Sequence, residues 1–325
     1  DDGSVYCWGS NSAGDSSLGV GNMSSGSWTY SPQQTQLPSG RTAIGISSGY
    51  SHTCAVLDDN SMVCWGDGDN FKLGNTTNSQ NDQSLPTYVQ SSLNFNSVVL
   101  GSYFSCGITT DFKMYCWGRN HEEQLGSNLS HIGETPTPQL VSTPTNRDVM
   151  GGAAGGHSAC AILDDETAYC WGDDDDNRLN TAYTCEWNDY TNGCWQYDRD
   201  TPAEAIAPSG RSIVAMSMGE RHSCALIDNG GLYCFGYNEH GQIGNGTTIG
   251  YGPNYVSFPT AVTLTTSDRD SDHDGVFNNG DRCMNGATGW TSNSSSDYDH
   301  DGCRDSDEDE DDDADSWTDL DEAAC

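Results

Sequence analysis

The tripeptide Cys-Trp-Gly returns along the chain at a nearly fixed interval, and no other feature limits the possible folds so strongly. It stands at Cys7-Trp8-Gly9, Cys64-Trp65-Gly66, Cys116-Trp117-Gly118 and Cys170-Trp171-Gly172, with Cys234-Phe235-Gly236 as a fifth, variant copy. The separations are 57, 52, 54 and 64 residues. A period of this length means one supersecondary unit per repeat, which cannot bury its apolar face alone and must stack on its neighbours. The longest interval contains an extra pair, Cys185 and Cys194, in a stretch rich in Tyr, Trp and Asn. It reads as a loop insertion closed by its own disulfide.

In each full unit a second cysteine precedes the first of the tripeptide by ten residues: Cys54/Cys64, Cys106/Cys116, Cys160/Cys170 and Cys224/Cys234. Between them apolar and polar residues alternate around a polar turn, which is the pattern of a β-hairpin. In such a hairpin, centred near Asp59 in the first full unit, the two cysteines face each other. Opposed Cβ atoms lie about 4.5–5.5 Å apart, near the reach of a disulfide. Closing a loop of this size stabilises by roughly 2–3 kcal/mol on the chain-entropy argument. After each tripeptide a polar stretch ends in Leu18-Gly19, Leu73-Gly74, Leu125-Gly126, Leu179-Asn180 or Ile243-Gly244. Glycine or asparagine there marks a backbone site of positive φ.

These units resemble the repeats of the regulator of chromosome condensation family over about residues 2–265, through the recurring His-x-Cys-Ala, Tyr/Val-Cys-Trp-Gly and Leu-Gly elements. The resemblance implies an all-β fold: a β-propeller of about five disulfide-stapled blades, one incomplete, over residues 1–266, followed by an irregular tail over 267–325. The founding nuclear activity of that family, nucleotide exchange on a small GTPase at chromatin, is not carried over, because disulfides and strong negative charge argue against a nuclear site. Other relatives are secreted binding proteins, so the fold leaves function open.

Fourteen cysteines without a CxxC pair of the zinc or thioredoxin type point to an oxidising compartment, extracellular or at the cell surface. The expected bonds are Cys54–Cys64, Cys106–Cys116, Cys160–Cys170, Cys224–Cys234, Cys185–Cys194 and Cys283–Cys303. Cys7 and Cys325 are left over, which suggests an intersubunit bond. The chain opens on DDGSVYCWG, the second strand of a hairpin, so one strand of the five blades is expected to be missing. A C-terminal segment filling that gap would close the ring as a monomer if it came from the same chain, and would propagate a head-to-tail filament if it came from a neighbour, the reading favoured here. A strand preceding residue 1 is the alternative. No apolar run is long enough to span a bilayer and no signal peptide is recognisable, so the 325 residues read as a processed or excised product.

The net charge of −36 excludes nucleic acid as a partner, since that affinity comes from Lys and Arg on phosphates. Residues 268–325 hold 20 acidic and 3 basic side chains and form a distinct segment. There Asp270, Asp272 and Asp274 alternate around Gly275 and are followed by Asn278 and Asp281, which is oxygen-donor chemistry suited to calcium. The segment resembles the thrombospondin type 3 repeat, as found in secreted microbial and archaeal surface proteins. That resemblance implies a second calcium-binding copy through Asp297, Asp299, Asp301, Asp305, Asp309, Asp311 and Asp313. Glycosylation sequons stand at Asn22, Asn75, Asn128 and Asn245, each just after the Leu-Gly position, and at Asn293.

Catalysis finds no support in the sequence. His52, His157 and His222 recur at one repeat position, as structural hydrogen-bonding groups would, and no Ser-His-Asp set or carboxylate pair stands apart from that background. The run Asp173 to Asp176 reads as an exposed loop, the tripeptide Trp residues as inter-blade packing, and Trp187 and Trp195 as an exposed contact surface. Two functions remain: a calcium-stabilised surface protein assembling with copies of itself, or a secreted binding module presenting one propeller face to cell-surface proteins or glycans.

Overall fold

A computed structural model of the chain describes residues 2–11, 17–21, 27–75, 81–129, 132–181, 186–188, 193–195, 198–208, 210–248 and 255–263. The chain divides into two compact units, Asp1–Val262 and Thr263–Cys325, and every described element lies in the first.

That unit is built from antiparallel four-stranded sheets repeated along the chain. The complete blades are β3 (Ala43–Ser48), β4 (His52–Leu57), β5 (Met62–Gly66) and β6 (Gln83–Tyr88); β7 (Phe95–Leu100), β8 (Phe104–Thr109), β9 (Met114–Arg119) and β10 (Glu134–Leu140); β11 (Val149–Gly155), β12 (Ser158–Leu163), β13 (Ala168–Gly172) and β16 (Arg199–Glu204); and β17 (Ile213–Met218), β18 (His222–Ile227), β19 (Leu232–Tyr237) and β20 (Tyr255–Ala261). The insertion contributes a separate two-stranded ribbon, β14 (Glu186–Asn188) and β15 (Gly193–Trp195).

β1 (Tyr6–Asn11) and β2 (Ser27–Gln34) form a sheet of two strands, equivalent to the outer half of a blade. Among the described residues this sheet therefore lacks two strands of a complete blade, where the sequence suggested one. DDGSVYCWG announces only the hairpin it belongs to, whereas every complete blade adds an inner strand before that hairpin.

The hairpin geometry follows from the cysteine spacing. Cys54 pairs in register with Cys64, Cys106 with Cys116, Cys160 with Cys170 and Cys224 with Cys234, and disulfides join all four pairs. In each complete blade the ladder to the outermost strand slips just after the cysteine, where the tripeptide glycine takes positive φ, as at Gly118 (φ 108°). A Cβ there would lie 2.8 Å from the Tyr103 carbonyl, which is why glycine is needed.

Core packing runs between blades. Cys54, Val56, Met62 and Leu73 of one blade close on Phe95, Val98, Leu100 and Trp117 of the next, and equivalent clusters follow at the two later junctions. A polar bond recurs inside this apolar contact. The Trp65 indole donates to the Ser17 carbonyl at 2.9 Å, Trp117 to Lys72 at 3.0 Å and Trp171 to Gln124 at 2.9 Å. Each acceptor is the residue before Leu-Gly in the preceding unit. The adjoining glycines have positive φ and lie directly under the indole, so a Cβ on Gly74 would sit 2.7 Å from Trp117 Nε1. Where the fifth unit has Phe235, the Arg178 carbonyl keeps only the Ser223 hydroxyl, at 2.8 Å, a bond that Ser105 makes to the Lys72 carbonyl beside the Trp117 indole.

Replacing Gly74 with Ala is expected to cost roughly 2–4 kcal/mol, from backbone strain plus overpacking against Trp117. Gly230→Ala, at a turn of similar φ with open space around it, should cost about 1 kcal/mol. Urea unfolding midpoints of the two variants check the difference.

Candidate functional site

The loops after each tripeptide and the turns before each hairpin share one end of the blades, and half of the described ionic contacts collect there, those between blades among them. Except in the unit where Gly68 stands, a side chain two residues beyond the tripeptide glycine braces the loop. Asn120 Oδ1 accepts from the Leu125 amide at 3.0 Å, and its Nδ2 donates to the Leu129 and Ile132 carbonyls; Asn238 repeats this with Ile243 and Thr247. Asp174 occupies the same place and accepts from the Leu179 amide at 3.1 Å. Being buried where Asn120 and Asn238 offer a neutral amide, its carboxyl is pushed up to about 7.

The sequence reading of Asp173 to Asp176 as an exposed loop is therefore corrected. Asp174 and Asp176 are buried, because the loop brace draws one inward and two arginines hold the other. Arg178 contacts Asp173 at 3.1 Å and Asp176 at 3.0 Å, and Arg221 of the next blade grips Asp176 at 2.7 and 2.9 Å while its guanidinium lies 4.0 Å over the Tyr237 ring. The carboxylate oxygens of Asp173, Asp175 and Asp198 lie within 4.8 Å of one another. Burial and the charges of Asp173, Asp175 and Glu122 push Asp198 to about 7, and burial with Asp173 raises Asp175.

The recurrent histidines serve different neighbours. His52 is buried and held near pKa 3 by burial and by the Lys72 charge, so it is neutral. Ser105 gives its proton to the Lys72 carbonyl at 2.7 Å and accepts from His52 Nε2 at 2.9 Å, which places the imidazole proton on Nε2. His157 meets Glu122 at 3.4 Å. Burial would raise Glu122, but hydrogen bonds from His157 and Gln124 and the charges of His157 and Arg119 outweigh it and hold the carboxyl near 2. The buried Lys72 ammonium lies 2.8 Å from Asp67. The contacts of His52 and His157 run between blades, whereas Lys72 and Asp67 belong to one loop.

The second candidate site is the half-blade. Cys7 has the place of Cys64, Cys116, Cys170 and Cys234 but no disulfide, and Thr35 Oγ1 lies 3.4 Å from its sulfur. Beside it a cavity of about 500 Å³ opens between β1 and the β3–β4 pair, lined by Tyr6, Cys7, Trp8, Ile46, Tyr50 and His52 among others. Ile46 is 50% exposed, whereas its counterpart Val98 is 8% exposed under the preceding blade. Trp8 is 62% exposed, while Trp65, Trp117 and Trp171 are fully covered.

Of the sequon residues, Asn128 is exposed, Asn245 partly so, and Asn75 is buried at 5% exposure. Asn22, Cys185 and everything from Asp270 to Cys325, including Cys283, Asn293 and Cys303, lie outside the described residues, as do the side chains of Trp187, Cys194 and Trp195. Sequence reasoning missed the acceptors of the indole bonds, because any residue supplies a carbonyl. The invariant glycine or asparagine two positions on was the only trace.

Two profiles described as Regulator of chromosome condensation (RCC1) repeat match the chain, one over residues 2–56, 59–108, 113–162 and 229–269, the other over 43–71, 95–124 and 213–242. Among curated relatives, the ultraviolet-B receptor UVR8 of Arabidopsis thaliana is 26% identical over 75% of this chain and 52% of its own length. Protein pim1 of Schizosaccharomyces pombe is 27% identical over 76% and 46%. The chain thus spans about half the length of these relatives. Among solved structures, human WBSCR16 superposes with a TM-score of 0.65 at 19% identity, covering 83% of this chain and 65% of that one. Yeast RCC1 (Prp20) bound to Kap60 superposes with a TM-score of 0.66 at 19% identity, covering 82% and 58%.

Asp174 sets a pH dependence of stability. Its folded pKa lies above the unfolded one, so its contribution is most favourable below about pH 4 and is lost as pH rises through 7. Asp174→Asn, which installs the residue found at 120 and 238, is expected to raise stability by roughly 1–3 kcal/mol at pH 8 and little at pH 4. Denaturation midpoints of parent and variant across that range measure it.

Proposed function

The chain belongs to the regulator of chromosome condensation (RCC1) repeat family, and from that premise we propose that it is a non-catalytic, secreted β-propeller module that binds protein chains at the cell surface, copies of itself first among them. The observation that carries this reading is the β1–β2 sheet: beside four stapled sheets of four strands it has two among the described residues, with an unbonded cysteine and an exposed Trp. An unpaired strand edge of that kind is a template for another chain, which natural proteins either cover or use. Protein partners have precedent on this fold, since yeast RCC1 is found bound to Kap60 and a further structure of Prp20p is described with its binding to Gsp1p and histones.

In this reading residues 268–325 take up calcium through the aspartates named above, which stiffens an otherwise self-repelling segment. Self-assembly is head-to-tail, because the two ends of the repeat array are unlike and a heterologous contact that does not close gives a filament. A second reading, a binding module for other cell-surface proteins or glycans, is favoured by the aromatic-lined cavity beside β1.

Sedimentation velocity of the 325-residue chain separates them. In calcium under oxidising conditions it is expected to show a series of multiples of the chain mass that shortens when calcium is chelated. A monomer at every concentration and in every buffer would leave the binding module and remove the filament.

A further inference from the structure

The turns of the stapled hairpins lie at the end of the blades opposite the loops described above, and there one residue departs from its counterparts. The turn residue of positive φ is Asn60 in the first complete blade, Glu166 in the third and Gly230 in the fourth; in the second it is Phe112, at φ 59°. A bulky aromatic side chain in the left-handed region is sterically disfavoured, and glycine or asparagine is the ordinary choice. Burial does not offset the strain, because Phe112 is 38% exposed and belongs to none of the described apolar clusters. Residues kept in such a conformation against a better local alternative cluster at ligand-binding and switch sites.

Beside Phe112 the inner strand of the next blade offers a second exposed apolar side chain. The Val149 amide donates to the Phe112 carbonyl at 2.9 Å, and Met150, at the bulge after Val149, is 59% exposed. Both residues stand in blades that pack on a complete blade to either side, so their exposure is a property of this face. Charged groups rim the pair. Lys113 lies 3.2 Å from Asp148, and Arg147 lies 3.4 Å from Asp164 and 2.8 Å from Asp165. Asp111, next to Phe112, and Glu166, in the turn that holds Arg147, are exposed and have no ion pair among the described residues. Five carboxylates against two engaged cations leave the rim negative.

We propose that this face docks a basic protein segment, whose apolar side chain packs between Phe112 and Met150 while flanking Lys or Arg side chains reach Asp111 and Glu166. The inference rests on the reading of the chain as a binder of protein chains, and not on self-assembly. An exposed aromatic anchor within a charged rim is the ordinary anatomy of a recognition site. Charge selects the partner: a negative rim attracts Lys and Arg and repels the same face of a second copy.

NMR titration of the chain, labelled at its methionine ε-methyl groups, with capped pentapeptides tests it. Lys-Lys-Leu-Lys-Lys is expected to move the Met150 resonance saturably. Lys-Lys-Ser-Lys-Lys should bind there at least about tenfold more weakly, and Glu-Glu-Leu-Glu-Glu not at all. The Met150 signal is identified by its loss in Met150→Asn, which installs the residue found at 96. Phe112→Asn, which installs the residue found at 60, is expected to weaken the leucine peptide at least about tenfold and yet raise the urea midpoint, because it relieves backbone strain. A lower midpoint with unchanged binding would make Phe112 a structural residue and overturn the proposal. So would equal binding of the leucine and serine peptides, which would mean attraction by charge alone. If the leucine peptide moves other methionines and leaves Met150 in place, this inference falls and the protein-binding reading stands. If no peptide moves any resonance, the inference falls and the sedimentation series decides the protein-binding reading by itself.

Discussion

The structure depends on the hydrogen bond from a tripeptide indole to the main chain of the unit before it. Alone such a bond contributes only about 1 kcal/mol net. Its weight comes from its setting, since the indole is fully buried and the carbonyl it satisfies lies inside the blade-to-blade core. Burying the indole N–H without a partner would cost about 1–3 kcal/mol, so each of these tryptophans needs the carbonyl it meets, whereas the Lys72 carbonyl also accepts from Ser105. The same bond explains the Leu-Gly corner. Leucine fills the core, and glycine supplies the positive φ and leaves the space the indole occupies.

A molecule held this way behaves as a one-dimensional stack, in which each unit is stabilised by its own staple and by both neighbours. Among the described residues Trp8, Ile46 and Gly244 are exposed, while their counterparts one repeat inward are buried. The ionic groups at the loop end of the blades follow the same logic. Asp176 with Arg221, Glu122 with His157 and Ser102 with Glu220 each join loops from different units, so they add register to an interface whose apolar part would tolerate slippage.

Much of the fold was legible in the sequence because its signals are local and repeated. Two cysteines ten residues apart around a polar turn define a hairpin and its register together, and the structure pairs them directly. Positive φ at Gly19, Gly74, Gly126, Asn180 and Gly244 was equally readable. The errors arose where the cause lay outside the local window. The inner strand of each blade carries no fixed motif: Ala43-Ile44-Gly45-Ile46 and Phe95-Asn96-Ser97-Val98 share only their place, so the half-blade was counted one strand too full. Asp176 looked like one of four solvated acids because its partner Arg221 stands 45 residues away.

The central claim is that the indole bond joins neighbouring units and is unmade at Trp8. Hydrogen exchange at the indole Nε1 positions, followed by NMR in dilute solution and assigned through single Trp→Phe variants, tests it directly. Trp65, Trp117 and Trp171 should exchange only through opening of the blades, and Trp8 at close to the rate of a solvated indole. Four equally slow indoles, or fast exchange at Trp117 in the folded protein, would contradict the account.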